Sequence, residues 1–423
     1  MTALVQTGTP QRTRQWNAVI AASIGNALEW FDFVVYGFFA ITIARLFFPA
    51  ADEGTSLLVA LATFGVTYFM RPLGAIVLGD YADRHGRKAA FSLSIVLMTL
   101  GTGIIALAPT YAAIGVWAPI LIVLARCIQG FSAGGEFGAA TAFLAEQHPE
   151  RRGFFASWQF ASQGLTTVLA TAFGAVLAGA LSVEQLDSWG WRIPFLFGLL
   201  IGPVGYYLRS HVEETAEFRS THVRRAPLRE AFLEGKKRLL ISFGAVVLCT
   251  VAMYTILFLP TYAVRQLGLP ASGSFLATLL NGSLQMVLIP VVGAWSDRHG
   301  RLPLTFCSAF ALLVGIYPLF AWLAAAPTLG NLLIFQAVIG VLAAGYMGAL
   351  PALMAELFPT SMRTTGLSVA YSCGVAMFGG FAPAINAWLI EATGNSLAPS
   401  FYLMAAALIS IAALTAARRL GIR

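Results

Sequence analysis

Long apolar stretches alternate with short polar segments along the whole chain. A membrane-spanning helix needs about 20 mostly apolar residues, and twelve stretches reach or approach that length. Their predicted cores, numbered spans 1 to 12 in chain order, are residues 18–45, 57–79, 89–108, 115–145, 154–180, 192–208, 239–262, 273–295, 303–325, 331–356, 365–390 and 398–417. The pattern predicts an all-α polytopic membrane protein with twelve transmembrane helices.

Composition supports the same conclusion. Hydrophobic residues make up 58% and charged residues 11% of the 423 residues, whereas soluble domains average about 25% charged residues. The sequence also has no polar stretch long enough for a large soluble domain. The four cysteines fall inside predicted spans without the spacing of metal ligands, so no metal site is predicted.

The distribution of lysine and arginine predicts the orientation. With both termini in the cytoplasm, all but five of the 26 cationic residues lie on the inner side, as the positive-inside rule requires. The five exceptions are Arg45, Arg192 and Arg265 at outer ends, and Arg71 and Arg126 within spans. The net charge of +7 is therefore a topology signal, and no nucleic-acid partner is predicted.

A basic segment, residues 209–238, is the one substantial polar linker in the sequence. It divides the chain into a predicted N-terminal six-helix bundle, residues 1–208, and a predicted C-terminal six-helix bundle, residues 239–423. The predicted fold is thus two pseudo-symmetric bundles.

One charged phrase occurs twice. GDYADRHGRK begins at Gly79 after span 2, and GAWSDRHGR begins at Gly293 after span 8, 214 residues later. This spacing is close to half the chain length, so the sequence indicates an internal duplication, which is common in transporters.

A second phrase repeats after spans 4 and 10, where Glu-x-x-Pro is followed by arginine and glycine. The aspartate of the first phrase can face a helix N-terminus, and its arginine can pair with the glutamate of the second. We therefore predict a cytoplasmic latch whose charges pair when the inner face is closed; the alternative is that they are solvated topology charges. The predicted latch residues are Asp83, Arg87, Glu146, Asp297, Arg301, Glu356 and Arg363.

Charges inside the bilayer are costly and indicate functional sites. All five histidines fall in predicted cytoplasmic segments, so a proton carried at mid-membrane requires a carboxylate. Glu29 and Asp32 share one face of span 1, and their mutual repulsion favours a proton on one of them. Either acid is the predicted proton site, with Glu136 of span 4 as a third candidate; the alternative is a structural pair with an arginine.

An anionic substrate requires a cation in a dry cavity, and no lysine lies within a span. Arg126 lies about 15 Å from the outer end of span 4 by helix geometry, near the midplane, and its planar fork suits a carboxylate. Arg71 is predicted nearer the cytoplasm, as a second anchor or a gate. Uncharged polar residues predicted to complete the pocket are Asn26, Tyr36, Gln129, Gln159 and Gln163 in the first half, and Tyr254, Asn281, Gln285 and Tyr371 in the second.

The duplicated loop resembles that of the major facilitator superfamily. Within that superfamily, several phrases resemble the metabolite:proton symporter family, which implies proton-coupled transport of a metabolite and no cofactor beyond the proton. These phrases are GNALEWFDF (25–33), RPLG (71–74), RCIQG (126–130), GGE (134–136) and WGWRIPF (189–195). SWQFASQ (157–163) and FGGFAPA (378–384) resemble the citrate and tricarboxylate symporters.

The resulting prediction is a monomeric carrier in a bacterial inner membrane that imports citrate or a related di- or tricarboxylate together with protons. The alternative within the family is a proline or betaine symporter, and the chain has no heptad extension of the kind those members often carry. A channel or an integral-membrane enzyme is less favoured, because the latches suit a carrier and no nucleophile with a base lies at depth.

Overall fold

A computed structural model describes residues 11–85, 87–134, 136–200, 202–204, 235–359 and 363–420. Eight helices in these ranges are individually long and apolar enough to cross a membrane, and a bent pair adds a ninth. Two shorter apolar helices lie in spans 3 and 4. Together with span 6, these helices form the predicted all-α architecture.

The helices occupy the predicted spans in order. The first half contains Gln11–Phe38 and Ala40–Phe47 (span 1), Glu53–Phe69 and Arg71–His85 (span 2), Arg87–Leu107 (span 3), Trp117–Ser132 and Glu136–Glu146 (span 4), Arg152–Ala180 (span 5) and Arg192–Gly198 (span 6). The second half contains Lys236–Leu267 (span 7), Ala271–His299 (span 8), Arg301–Ala325 (span 9), Leu329–Leu357 (span 10), Arg363–Gly374 and Ala382–Thr393 (span 11), and Ala398–Arg419 (span 12).

Four spans are interrupted where the sequence predicts continuous helices. Span 2 has a break at Met70, between Glu53–Phe69 and Arg71–His85. Span 1 bends by 67° between its two helices. Span 4 breaks before Glu136, where the backbone of Gly134 lies so close to span 2 that any side chain would overlap it. Span 11 contains a π-helical turn, Val375–Gly379. The break in span 4 lies where its backbone approaches that of span 2. The π-helical turn of span 11 lies where Gly379 meets the ring of Tyr254 and Gly380 meets the ring of Tyr68.

The two halves contact each other through matching spans. Span 5 packs against spans 8 and 10, span 4 against the first helix of span 11, span 2 against the second helix of span 11, and span 1 against span 7. Span 7 begins at Lys236, inside the end of the predicted linker. Most of the linker lies outside the described residues, so the predicted division at 209–238 stays a prediction.

Candidate functional site

Arg126 lies in the middle of the N-terminal half and is fully buried. Its guanidinium carbon is 3.9 Å from the centre of the Tyr36 ring, a cation–π contact. Nη1 donates to Oε1 of Gln129 at 2.8 Å, while Nε and Nη2 make no hydrogen bond within the described protein. Buried charged donors without acceptors are costly, and two donors of this guanidinium are left without one in the described protein.

Arg71, at the break in span 2, is also buried and is enclosed by aromatic rings. Its guanidinium carbon lies 4.8 Å from the Trp30 ring, 4.7 Å from Tyr68 and 5.2 Å from Phe33. Phe33 also lies 5.6 Å from the Arg126 guanidinium. The side chain of Arg71 thus reaches the same ring as that of Arg126, and its predicted role as a second anchor or a gate stays a prediction. Its Nε and Nη2 also have no hydrogen-bond partner among the described residues.

Asp32 lies one helical turn after Glu29, and both carboxylates are buried. Oδ2 of Asp32 accepts from the hydroxyl of Thr102 in span 3 and, at 3.4 Å, from Nε2 of Gln129. Arg126 is thus connected to Asp32 through Gln129. The side chain of Glu136, the third predicted proton site, lies outside the described part of the chain.

Aromatic side chains close the site where the halves meet. Tyr254 of span 7 contacts Tyr68 of span 2 with ring centres 5.1 Å apart. Tyr371 of span 11 stacks on Phe137 of span 4 at 3.4 Å, with the rings nearly parallel. A cavity of about 20 Å³ remains, lined by residues of both halves that include Tyr68, Tyr254 and Gln285. That space suits about one water molecule, so a carboxylate substrate requires these rings to separate.

Several predicted pocket residues join helices instead of facing the cavity. Asn26 donates to the backbone oxygen of Gln159 and to Ser162, and it accepts from Nε2 of Gln159. Asn281 donates to the backbone of Gln336 and accepts from Gln285. In a bilayer, buried amides must find partners within the protein, and here the neighbouring helices supply them.

Tyr36 and Gln163, two further predicted pocket residues, differ in their hydrogen bonds. The hydroxyl of Tyr36 donates to the backbone oxygen of Ala60 at 3.2 Å, so its ring, not its hydroxyl, faces the site. Gln163 is buried in span 5, and neither its Oε1 nor its Nε2 has a partner that meets hydrogen-bond geometry in the described protein. Gln163 lies beside the hydroxyl of Tyr371 in the other half, and whether it binds substrate stays a prediction.

Sequence reasoning missed Thr102 and the aromatic cage of Trp30, Phe33 and Tyr68. A threonine in an apolar span is unremarkable by composition, and only its position opposite Asp32 gives it a role. The aromatic residues did carry a signal, because Trp30 and Phe33 flank Asp32 and Tyr68 precedes the Met-Arg pair. They could have been proposed as cation–π partners of the two arginines.

The charges of the predicted cytoplasmic segments form contacts within and between the halves. Arg301 pairs with Glu356 and with Asp297, each at 3.0 Å. Asp297 also accepts from the backbone N–H groups of Gly153 and Phe154 at 2.8 and 3.0 Å, at the N-terminus of span 5 in the other half. Arg363 pairs with Glu146 across the halves at 3.0 Å. The side chains of Asp83 and Arg87 lie outside the described part, and the latch role stays a prediction.

Glycines make this inner contact possible. A side chain at Gly153 would overlap the backbone of Gly293, and a side chain at Gly293 would overlap Gly153 and Ser157. Spans 5 and 8 therefore meet backbone to backbone directly beside Asp297. The second copy of the repeated phrase thus lies at a close backbone contact between the halves.

Replacing Asp297 with alanine is expected to open the inner face. The substitution removes both bonds to the start of span 5 and leaves Arg301 with one acid, and each charge-assisted bond contributes about 1.5–3 kcal/mol. The measurement uses a chain that lacks the four native cysteines and carries a cysteine at the buried position Ser157. In inside-out vesicles this cysteine should react with a maleimide at least fivefold faster in the Asp297→Ala variant than in the protein that keeps Asp297. The control is Glu150→Ala, an exposed acid near the same helix start. Equal labelling rates in both variants would contradict the latch.

The outer face also has a contact between the halves. Arg265 of span 7 pairs with Glu53 of span 2 at 2.6 Å, and the glutamate is largely exposed. Exposed pairs contribute about 0.2–1 kcal/mol, so this bridge orients the outer ends weakly compared with the buried inner contacts. The site therefore lies between closed contacts on both sides.

Comparisons with known proteins agree with this architecture. The sequence profile of the Major Facilitator Superfamily matches residues 22–290 and 276–420. A citrate-proton symporter of Klebsiella pneumoniae is 39% identical over 400 residues, which cover 94% of this chain and 90% of that protein. A proline/betaine transporter of Escherichia coli is 35% identical over 420 residues, which cover 93% and 81% of the two chains.

The solved structure of a D-xylose-proton symporter has the same fold. It superposes with a TM-score of 0.73 at 18% identity and covers 93% of this chain and 97% of its own. The duplicated charged loop, the twelve spans and these matches lead to one conclusion. The chain belongs to the major facilitator superfamily.

Proposed function

We propose that the protein imports citrate or a related tri- or dicarboxylate together with protons, by alternating access between its two bundles. Its relatives are named transporters, so the chain is a carrier and not an enzyme. The substrate, the direction of transport and the roles of individual residues belong to the proposal.

The observation that carries the proposal is the pair of buried arginines that share the Phe33 ring. Each presents two nitrogen atoms without hydrogen-bond partners in the described protein. An arginine fork binds a carboxylate through two parallel hydrogen bonds. Two such forks beside the same Phe33 ring suit a substrate with more than one carboxylate.

The chemistry disfavours a zwitterionic osmolyte, the second candidate. Quaternary ammonium groups are recognised by cages of aromatic rings. Here the rings of Trp30, Phe33 and Tyr68 already surround the Arg71 guanidinium. A betaine would place its positive charge beside two arginines, whereas a di- or tricarboxylate neutralises both. Because a proline/betaine transporter is among the relatives, glycine betaine is included in the substrate panel.

The coupling ion in the proposal is a proton carried by Asp32 or Glu29. Asp32 is connected to Arg126 by hydrogen bonds, so its ionisation state affects the cation that would bind the substrate. We place the protein in a bacterial inner membrane as a monomer with both termini in the cytoplasm. The proposed rocking units are residues 1–208 and 239–423.

A substrate panel tests the proposal. Purified protein is screened by thermal shift with citrate, tricarballylate, 2-oxoglutarate, shikimate and glycine betaine. A ligand present at 100 times its Kd stabilises the folded state by about 2.7 kcal/mol, so a di- or tricarboxylate should raise the Tm by several degrees. Stabilisation by betaine alone would overturn the anionic substrate class.

Transport measurements in proteoliposomes then separate a carrier from a channel. We expect saturable uptake of the acid identified by the panel, driven against its gradient by an inward proton gradient, and counterflow when the vesicles are preloaded. Non-saturating flux without counterflow would contradict the carrier mechanism.

A further inference from the structure

We propose that Gln129 is a positioning residue that couples protonation of Asp32 to the availability of Arg126 for the substrate. This inference rests on the proposed function, because it describes how the same site links proton and acid. Gln129 was considered above as a pocket residue. Its contacts indicate a different role, since both ends of its amide are bound to the two groups that must communicate.

The orientation of the amide is determined by Arg126. A guanidinium donates hydrogen bonds and never accepts them, so the atom of Gln129 that lies 2.8 Å from Nη1 must be the oxygen. Nε2 must then point the other way, where it lies 3.1 Å from Oγ1 of Thr102 and 3.4 Å from Oδ2 of Asp32. Gln129 therefore has one possible orientation while Arg126 occupies this position.

That orientation also determines where Asp32 can carry a proton. Oδ2 faces Nε2 of Gln129, which can only donate, and the hydroxyl of Thr102, whose single proton goes either to Oδ2 or to the backbone oxygen of Met98. Oδ2 therefore acts as an acceptor while Asp32 is ionised. Oδ1 is buried and has no hydrogen-bond partner in the described protein. It lies against Gly198 of span 6, where a methyl group would overlap it. A proton on Oδ1 leaves the contacts of Oδ2 with Gln129 and Thr102 in place, and the lack of a side chain at Gly198 is what allows Oδ1 to occupy this position.

Among the described residues, the charge that acts on Asp32 from a packed neighbour is that of Arg126 of span 4. On span 1 itself, Glu29 lies one turn before it and Tyr36 one turn after it. Spans 3 and 6 present Thr102 and Gly198, which do not ionise. Protonation of Asp32 thus removes the negative charge that partly neutralises Arg126.

Two consequences follow when Asp32 takes a proton. Oδ2 becomes a weaker acceptor, because bonds to a charged acceptor are about twice as strong as neutral ones. Gln129 is then held less firmly, and Nη1 of Arg126 can join Nε and Nη2 in binding a carboxylate. The site also becomes more positive, so the carboxylate substrate binds more tightly at lower pH. Release of the proton restores the original contacts and weakens acid binding, as symport requires.

The test measures how substrate affinity depends on pH. The panel acid is titrated by calorimetry between pH 5.5 and 8 with the wild type, Gln129→Met and Thr102→Val. Methionine keeps the length of glutamine without its hydrogen bonds, and valine keeps the shape of threonine. The matched control is Gln336→Met, which replaces a buried glutamine of span 10 that donates to Thr278.

In the wild type and the control, we expect Kd to rise about tenfold per pH unit where one proton accompanies the acid. In Gln129→Met this dependence should fall to threefold or less per unit, while Kd at pH 5.5 stays within tenfold of the wild type and counterflow persists. Thr102→Val should show an intermediate dependence, and it decides the question if Gln129→Met does not fold.

The outcomes that overturn the inference are distinct from those that overturn the proposed function. A full pH dependence in Gln129→Met contradicts the positioning role alone. So does loss of binding at every pH in a folded Gln129→Met protein, since that would indicate direct contact with the substrate. Acid binding by the wild type that does not change with pH would overturn both the inference and proton coupling.

Discussion

Replacing Arg126 with glutamine is expected to reduce uptake of the carboxylate substrate at least a hundredfold. Arg126 is buried against Tyr36 and presents two unpaired donors at the site. Loss of two charge-assisted bonds costs about 3–6 kcal/mol, and each 1.4 kcal/mol is a factor of ten in affinity. Initial rates of uptake and the Kd from calorimetry both measure the effect.

Lysine at the same position should rescue little of the activity. An ammonium keeps the positive charge but lacks the planar fork that binds a carboxylate through two bonds. The control is Arg45→Gln, which removes an arginine that pairs with Asp187 near the outer surface at 2.5 Å. Near-normal transport by Arg126→Gln would show that the acid is bound elsewhere and would leave Arg71 as the anchor to test.

The sequence predicted the architecture well, because the bilayer imposes strong rules on a chain. Apolar stretches of sufficient length that cross a bilayer must be helices, whereas the orientation taken from the basic residues stays a prediction. The predicted latch residues Asp297, Arg301 and Glu356 also come together as the repeated phrases suggested. Asp297 also faces a helix N-terminus, as predicted. Which helix it would be, the start of span 5 in the other half, could not be foreseen, because backbone N–H groups carry no sequence signature.

The central site was less predictable, since it depends on which helix faces meet. Intramembrane charge identified Asp32 and Arg126, but the connection through Gln129 and Thr102 is set by the packing of spans 3 and 4 on span 1. Asn26 and Asn281 were equally plausible pocket residues by type and depth. In the structure both side chains join neighbouring helices. A buried amide in a membrane protein can serve either packing or ligand binding, so residue type and depth do not decide between the two.

The contacts on the two faces differ in kind, and this asymmetry bears on how the carrier moves. The inner face is held by buried charges and by backbones in direct contact at Gly153 and Gly293. The outer face has an exposed pair, Glu53 with Arg265, which contributes little. The central tyrosines contact both halves and must move in either opening. Opening to the outside therefore breaks the weaker polar contacts.

Replacing Asp32 with asparagine is expected to abolish accumulation against a gradient while exchange continues. Asparagine has nearly the same shape, and its oxygen can still accept from Thr102 and Gln129, so the site keeps its form. It cannot take up or release a proton, and the coupling to the proton gradient is lost. With a pH difference of two units and no membrane potential, each coupled proton supports about a 100-fold gradient of substrate. In the Asp32→Asn variant, the ratio of the internal to the external substrate concentration should stay near one.

Counterflow and net uptake measured in the same proteoliposomes separate coupling from binding. We expect counterflow within threefold of the wild type, because exchange of acid for acid requires no net proton movement. The control is Asp187→Asn, whose carboxylate pairs with Arg45 at the surface, and it should accumulate substrate normally. Glu29→Gln distinguishes the two acids of span 1, since the variant that loses accumulation identifies the proton site. If both variants accumulate substrate fully, the proton is not carried on span 1, and the buried carboxylates there serve only to balance the charge of the arginines.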